Sequence, residues 1–242
     1  MSERRRKPAM IEISAVTKSY GHHHAIDNLT LVIEEPGIHG LLGRNGAGKT
    51  TLMKLIAGHI WSSRGEIRVG GVAISPKQMP RSVVLIESRA SQFNMSTSKL
   101  IDAARQLHDD FDHAFAERML HRFELDPGKK YSQLSFGMQT MVSTILGLAT
   151  NTDVVMLDEP VLGFDTVMRR RFNALLRESM QQHPRIILVS THLMDDLARV
   201  ADHLLVIDAG TLLARAPMND VASRYSSADD FFLSVLGVSI DE

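Results

Sequence analysis

Two kinds of hydrophobic spacing alternate along the chain. Short apolar runs typical of strands occur in both halves of the sequence, separated by segments in which apolar residues recur every three or four positions. The pattern predicts strands at Met10–Val16, Leu29–Ile33, Ile38–Leu42, Gly65–Val69, Val72–Ile74, Val83–Ile86, Val154–Leu157, Ile186–Val189, Leu204–Ile207 and Thr211–Ala214. Because helical spacing separates many of these strands, the pattern indicates an α/β protein with a mainly parallel sheet.

Helical spacing is clearest directly after Ile38–Leu42 and again in the middle of the chain. It predicts a helix at Thr50–Ile60, and further helices at Leu100–Leu107 and Phe111–Phe123. Strand-like runs are absent between about residues 88 and 149, which marks this segment as an inserted helical lobe. We therefore expect a single domain over 1–242, with a core at 10–87 and 150–225, the lobe at about 88–149, and a tail at 226–242.

Composition narrows the class of protein. The chain has 242 residues, 27 Lys plus Arg against 28 Asp plus Glu, and no cysteine. The missing cysteines exclude disulfides, thiol nucleophiles and cysteine-ligated metal centres, and near-neutrality argues against a nucleic-acid-binding protein. No stretch approaches the roughly 18 consecutive apolar residues of a membrane span, and no signal-peptide core is recognisable. We expect a cytoplasmic protein.

A glycine-rich segment follows the predicted strand Ile38–Leu42. It reads G-R-N-G-A-G-K-T and matches the phosphate-loop pattern G-x-x-x-x-G-K-[ST]. Small residues let backbone N–H groups point inward around a polyphosphate, and the following helix directs its N-terminus at the anion. Lys49 would reach the terminal phosphates, and the Thr50 hydroxyl would bind Mg²⁺. The candidate nucleotide-binding residues here are Gly43, Arg44, Asn45, Gly46, Ala47, Gly48, Lys49, Thr50 and Thr51.

Polar side chains end two other apolar strands. Asp158 and Glu159 follow Val154–Leu157, and His192 follows the strand that ends near Thr191. Acids and histidines at such places are often helix caps or surface residues, but ligands of parallel sheets bind at the carboxyl ends of the strands. With a phosphate loop at the same edge, we expect Asp158 to hold Mg²⁺, Glu159 to orient or deprotonate water, and His192 to contact the γ-phosphate. Lys49, Glu159 and His192 are thus the candidate catalytic residues.

A further motif reveals a family resemblance. The segment L-S-F-G-M at 134–138 resembles the LSGGQ signature of ATP-binding-cassette ATPases, which other phosphate-loop NTPases lack. The resemblance covers almost the whole chain and implies a P-loop NTPase core, with a mainly parallel sheet, an antiparallel β subdomain and an inserted α-helical lobe. It also implies that Ser135 and Gly137 contact the γ-phosphate of ATP bound on a partner subunit. An alternative is that Ser135 only caps the next helix.

The resemblance assigns three more positions. Tyr20 stands where the family stacks an aromatic residue on adenine, although it could instead be an ordinary turn tyrosine. Asp165 lies in a segment that resembles the D-loop, which touches the opposite subunit. Where the family has its Q-loop glutamine, this chain has Glu87, with Gln92 as a less well placed alternative. Glu87 could approach Mg²⁺, but it brings negative charge near the γ-phosphate, and Phe136 replaces the first signature glycine.

The implied function is that of the ATP-binding and ATP-hydrolysing subunit of an ABC transporter, of the bacterial exporter type with a separate membrane subunit. Its cofactors would be ATP and Mg²⁺. Its partners would be a second cassette, in a homodimer or alternatively a heterodimer, and a separate transmembrane permease on the inner face of the membrane. Two alternatives stay open: a soluble cassette of the iron–sulfur assembly type, and a regulatory cassette with weak hydrolysis.

Overall fold

A computed structural model describes residues 10–87 and 93–238. Each predicted strand is present within these residues, with bounds that differ by a few positions. The strands are β1 (Ile11–Tyr20), β2 (His23–Ile33), β3 (Gly37–Leu42), β4 (Arg64–Val69), β5 (Val72–Ala73), β6 (Val83–Glu87), β7 (Val154–Asp158), β8 (Ile186–Thr191), β9 (His203–Asp208) and β10 (Thr211–Pro217).

The strands form two sheets. The larger has the order β10-β9-β3-β8-β7-β6, and all its neighbours are parallel except the β9–β10 hairpin. The smaller sheet, β2-β1-β4-β5, is antiparallel throughout. The expected mainly parallel α/β core with an antiparallel β subdomain is confirmed.

The helices include those predicted from spacing and several for which the sequence patterns set no bounds. They are α1 (Lys49–Ile56), α2 (Thr97–Leu107), α3 (His113–Arg122), α4 (Phe136–Ala149), α5 (Thr166–Gln182), α6 (Met194–Ala198), α7 (Met218–Arg224) and α8 (Ala228–Val235). Over the described parts of the chain, no helix has both the length and the apolar character needed to cross a bilayer.

Two local predictions need correction. Helix α1 ends at Ile56 rather than at residue 60, because Gly58 adopts a left-handed φ of 71° that stops the helix. Strand β2 begins at His23 rather than at Leu29, because its first residues pair with the extended end of β1. Strand β6 is half-buried, since it forms an edge of the larger sheet.

The larger sheet separates two hydrophobic clusters. One face packs on α1 and the antiparallel sheet, with Leu52 and Ile13 among its buried side chains. The other face packs on the helices of the lobe and on α5, where Phe172 is 1% exposed. Helix α8, within the predicted tail, belongs to this second cluster through Phe231 and Phe232. This layering brings the carboxyl ends of β3, β7 and β8 to one edge beside the start of α1.

Candidate functional site

The glycine-rich loop connects β3 to α1 and has a backbone shape that requires glycine. Gly46 and Gly48 have φ values of 83° and 104°, in the left-handed region. A Cβ atom on Gly43 would lie 2.5 Å from the carbonyl oxygen of Ile207, and one on Gly48 would lie 2.5 Å from that of Ala25. The loop is therefore clamped between β9 and β2, while Arg44, Asn45 and Gly46 at its crest stay exposed.

The Lys49 side chain folds back over this loop. Its Nζ atom donates hydrogen bonds to the carbonyl oxygens of Gly43, at 2.7 Å, and Arg44, at 3.3 Å. The same atom lies 3.7 Å from Glu159 Oε1, and the lysine is 7% exposed. A buried cation that caps a ring of backbone groups, with one carboxylate as its ion-pair partner, can exchange these acceptors for phosphate oxygens.

Asp158 joins the first turn of α1 to the end of β7. Its Oδ2 atom accepts a hydrogen bond from Thr50 Oγ1 at 2.7 Å, and its Oδ1 atom accepts one from the buried Ser190 hydroxyl of β8. The two predicted metal ligands, Thr50 and Asp158, are thus in contact. A hydroxyl and one carboxylate form an all-oxygen donor set of the kind Mg²⁺ accepts together with phosphate oxygens.

Glu159 and His192 form the next pair along this edge. His192 Nδ1 lies 2.8 Å from Glu159 Oε2, and both side chains reach solvent. Glu159 has a φ of 49°, unusual for a residue with a side chain, and its N–H donates to both oxygens of Ser190. A carboxylate held between Lys49 and His192, and reaching solvent, has the geometry of a proton acceptor for a water molecule.

Glu87 ends β6 directly beside Asp158, to which it is matched in register on β7. Its Oε2 atom forms an ion pair of 2.8 Å with Lys54 Nζ of α1. Glu87, the carboxylate expected near Mg²⁺, is therefore already paired with the positive charge of Lys54. The alternative position, Gln92, lies outside the described residues.

Ser135, Gly137 and Asp165 lie at helix starts. Ser135 Oγ accepts from the N–H of Met138 at 3.3 Å and caps α4, and Asp165 Oδ1 accepts from the N–H of Met168 at 2.7 Å and caps α5. Ser135 therefore makes the capping contact that sequence reasoning offered as the plain alternative, and Asp165 makes a contact of the same kind.

The two helix starts are packed against each other. The ring of Phe136 lies against Gly163, and Phe164 lies against Gly137. The signature segment and the D-loop segment thus form one surface of the protomer, as neighbouring parts of the same edge.

Tyr20 lies at the end of β1 and is 53% exposed. Lys18 Nζ lies 5.0 Å from the centre of its ring and donates to the carbonyl oxygen of Trp61 at 2.8 Å. The paired strand β2 leads from His23 to Ala25, whose carbonyl borders the glycine-rich loop. The tyrosine is thus held next to the loop by a hairpin. In the first turn of α1, Thr51 is only partly buried.

Sequence reasoning missed the roles of two side chains. Ser190 links Asp158 to the backbone of Glu159, and Lys54 neutralises Glu87. The i,i+4 spacing of Lys54 from Thr50 places both on one helix face and could have indicated the lysine. No local pattern could have indicated Ser190, because its partners lie on a neighbouring strand.

Comparisons with known proteins agree with this geometry. The family model described as "ABC transporter" matches residues 26–162, more than half of the chain. The ABC transporter ATP-binding protein YtrB of Bacillus subtilis is 28% identical, over 96% of this chain and 80% of its own length. The aliphatic sulfonates import ATP-binding protein SsuB of Frankia casuarinae is 31% identical, over 93% of this chain and 71% of its own length.

The fold is also shared with known cassette structures. A solved structure described as the ATP binding subunit of an ABC transporter superposes with a TM-score of 0.79 at 21% identity, covering 94% of this chain and 99% of the other. The resemblance first seen in the motifs is confirmed by the family model and by the sulfonate-import relative. This chain belongs to the ABC transporter family and is an ATP-binding subunit of that family.

Proposed function

We propose that the edge formed by the loop at 43–48 and the ends of β7 and β8 binds ATP and hydrolyses it. The loop N–H groups and the start of α1 would hold the phosphates, with Lys49 exchanging its carbonyl acceptors for phosphate oxygens. Tyr20 would stack on the adenine. The glycine-only conformation of the loop supports this role, because the positive φ values of Gly46 and Gly48 let backbone N–H groups turn toward an anion.

Mg²⁺ would be held by Thr50 and Asp158. When bound, the ion neutralises charge on the phosphate oxygens during phosphoryl transfer. The chain contributes two features of its own: Thr50 and Asp158 are already 2.7 Å apart, and Ser190 orients the carboxylate from behind. Glu87 stands beside this pair but is matched to Lys54.

Glu159 would act as the general base. A water oxygen attacks the γ-phosphorus, the bond from phosphorus to the bridging oxygen of ADP breaks, and a water proton passes to a Glu159 carboxylate oxygen. His192 would orient that carboxylate from the opposite side and contact the γ-phosphate. The single observation that carries this assignment is the Lys49–Glu159–His192 chain of contacts, at 3.7 and 2.8 Å, beside the phosphate loop.

Two cassettes would complete the site. Ser135 and Gly137 of one subunit would face the γ-phosphate bound by the other, and Asp165 would touch the opposite subunit. Ser135 and Gly137 lie at the N-terminus of α4, a backbone arrangement suited to an anion. We propose a homodimer that drives translocation through a separate membrane subunit, at the inner face of the membrane. The transport names of the relatives support this coupling.

The decisive experiment compares Glu159→Gln with Lys49→Ala. Losing a positioned general base lowers rates by roughly 10²–10⁴-fold, so Glu159→Gln should bind ATP with near wild-type affinity but hydrolyse it at about that reduced rate. Lys49→Ala should lose ATP affinity in calorimetry, because the phosphates lose their buried cation. Near wild-type turnover by Glu159→Gln would remove Glu159 from the role, and unchanged ATP binding by Lys49→Ala would contradict the phosphate-loop assignment.

A further inference from the structure

Two carboxylates end neighbouring strands at this edge, and one helix holds both. Glu87 and Asp158 face each other in register on β6 and β7. Thr50 and Lys54 lie one turn apart on α1, so they project from the same helix face. Thr50 Oγ1 donates to Asp158 at 2.7 Å, and Lys54 Nζ pairs with Glu87 at 2.8 Å.

The Thr50–Asp158 hydrogen bond and the Lys54–Glu87 ion pair have different electrostatic effects on their carboxylates. Adjacent strands lie about 4.8 Å apart, so ionised carboxylates at matched positions repel each other. The Thr50 hydroxyl is neutral and leaves the charge of Asp158 available to a cation. Lys54 is cationic and cancels the charge of Glu87. The ion pair is also partly sheltered, because its side chains are only 34% and 27% exposed.

We propose that Lys54 is a positioning residue that keeps Glu87 from adding its negative charge to the nucleotide site. The inference rests on the proposed function, since it concerns the same phosphate and cation. With Lys54 in place, a single carboxylate, Asp158, faces the divalent cation. Without it, Glu87 would repel the free polyphosphate and attract the cation, so ATP binding would depend more strongly on Mg²⁺.

The test measures how far Mg²⁺ improves nucleotide affinity. Full-length protein is titrated calorimetrically with the non-hydrolysable analogue AMP-PNP, once in EDTA and once in excess Mg²⁺. The dissociation constant in EDTA is divided by the dissociation constant in Mg²⁺. This ratio is compared among wild type, Lys54→Met, Glu87→Gln and the double variant. Methionine keeps the alkyl stem of the lysine, and Lys99→Met, at an exposed position of α2, removes the same charge elsewhere as the matched control.

The two single variants should shift this ratio in opposite directions. Lys54→Met should raise the ratio by about fivefold or more, the lower limit being that for one unpaired charge about 4 Å away at the dielectric constant of water, about 80. Glu87→Gln should lower the ratio, because an unpaired Lys54 attracts the metal-free nucleotide. The double variant should return close to wild type, and Lys99→Met should match wild type throughout.

The outcomes also separate this inference from the proposed function. Wild type that binds AMP-PNP under neither condition would overturn the proposed function. Wild type that binds normally while Lys54→Met keeps the wild-type ratio would overturn only the role of Lys54. A raised ratio that Glu87→Gln fails to reverse would equally overturn it, because the effect would not pass through Glu87.

Discussion

His39 should make the protein less stable as the pH falls from 6.5 to 4. This residue lies in β3 beneath the antiparallel sheet and is 0% exposed. Its ring stacks on that of His203, with centroids 5.1 Å apart, and its Nε2 atom lies 3.2 Å from the carbonyl oxygen of Glu35. The remaining charged neighbours are Asp202 and Arg215. Burial is the main cause that lowers the pKa of His39 to about 4. The hydrogen bond to Glu35 opposes it, His203 and Arg215 add to the lowering, and Asp202 has the smallest, opposing effect.

The size of the effect follows from proton linkage. The pKa is about 4 in the folded protein against 6.5 for an ordinary histidine, a difference of about 2.5. Each pKa unit corresponds to about 1.4 kcal/mol, so His39 alone should lower the free energy of unfolding by about 3 kcal/mol at acid pH. Because the unfolded chain binds the proton first, stability is complete above pH 6.5, falls through the interval, and levels off below about pH 4.

Urea unfolding followed by the fluorescence of Trp61, the single tryptophan of the chain, measures this dependence. The difference in free energy of unfolding between wild type and His39→Leu isolates His39 from all other titrating groups. His59→Leu is the control, because His59 is exposed and shows no such burial. A difference that stays constant from pH 7 to pH 4 would refute the reasoning, since a buried neutral histidine must lose stability on that path.

Two further substitutions test contacts that position the site and the lobe. Ser190→Ala removes a donor to Asp158 and an acceptor for the Glu159 N–H, so ATP hydrolysis should fall by roughly 10-fold with little change in ATP affinity. Steady-state kinetics and calorimetry measure both, and an unchanged kcat would contradict the positioning role. Asp112→Ala removes the cap of α3, where the side chain accepts from the Phe115 N–H at 2.8 Å, and should lower the free energy of unfolding by about 1 kcal/mol in urea. Asp112→Ser retains an acceptor and should lose less, whereas equal losses would contradict a capping effect.

Local sequence patterns predicted the strands of this fold because the strands are short apolar runs that end at polar residues. Ile38–Leu42 and Val154–Leu157 were recognisable alone, and the residues that follow them carry the chemistry. The same reasoning overextended α1, because the apolar periodicity continues to Ile60 beyond the turn that Gly58 imposes. It also missed the strand character of His23, which depends on pairing with β1 rather than on its own side chain.

The sequence by itself determined where strands occur along the chain, the phosphate loop, and the acidic and histidine residues at the strand ends. Each of these features depends on neighbours close in the chain. The tertiary structure alone decided which strand ends meet. It set Glu87 beside Asp158, because β6 pairs with β7 across the inserted lobe, and it brought Lys54 to that carboxylate along the face of α1. These contacts depend on strand register and helix orientation, which arise only when distant segments pack against each other.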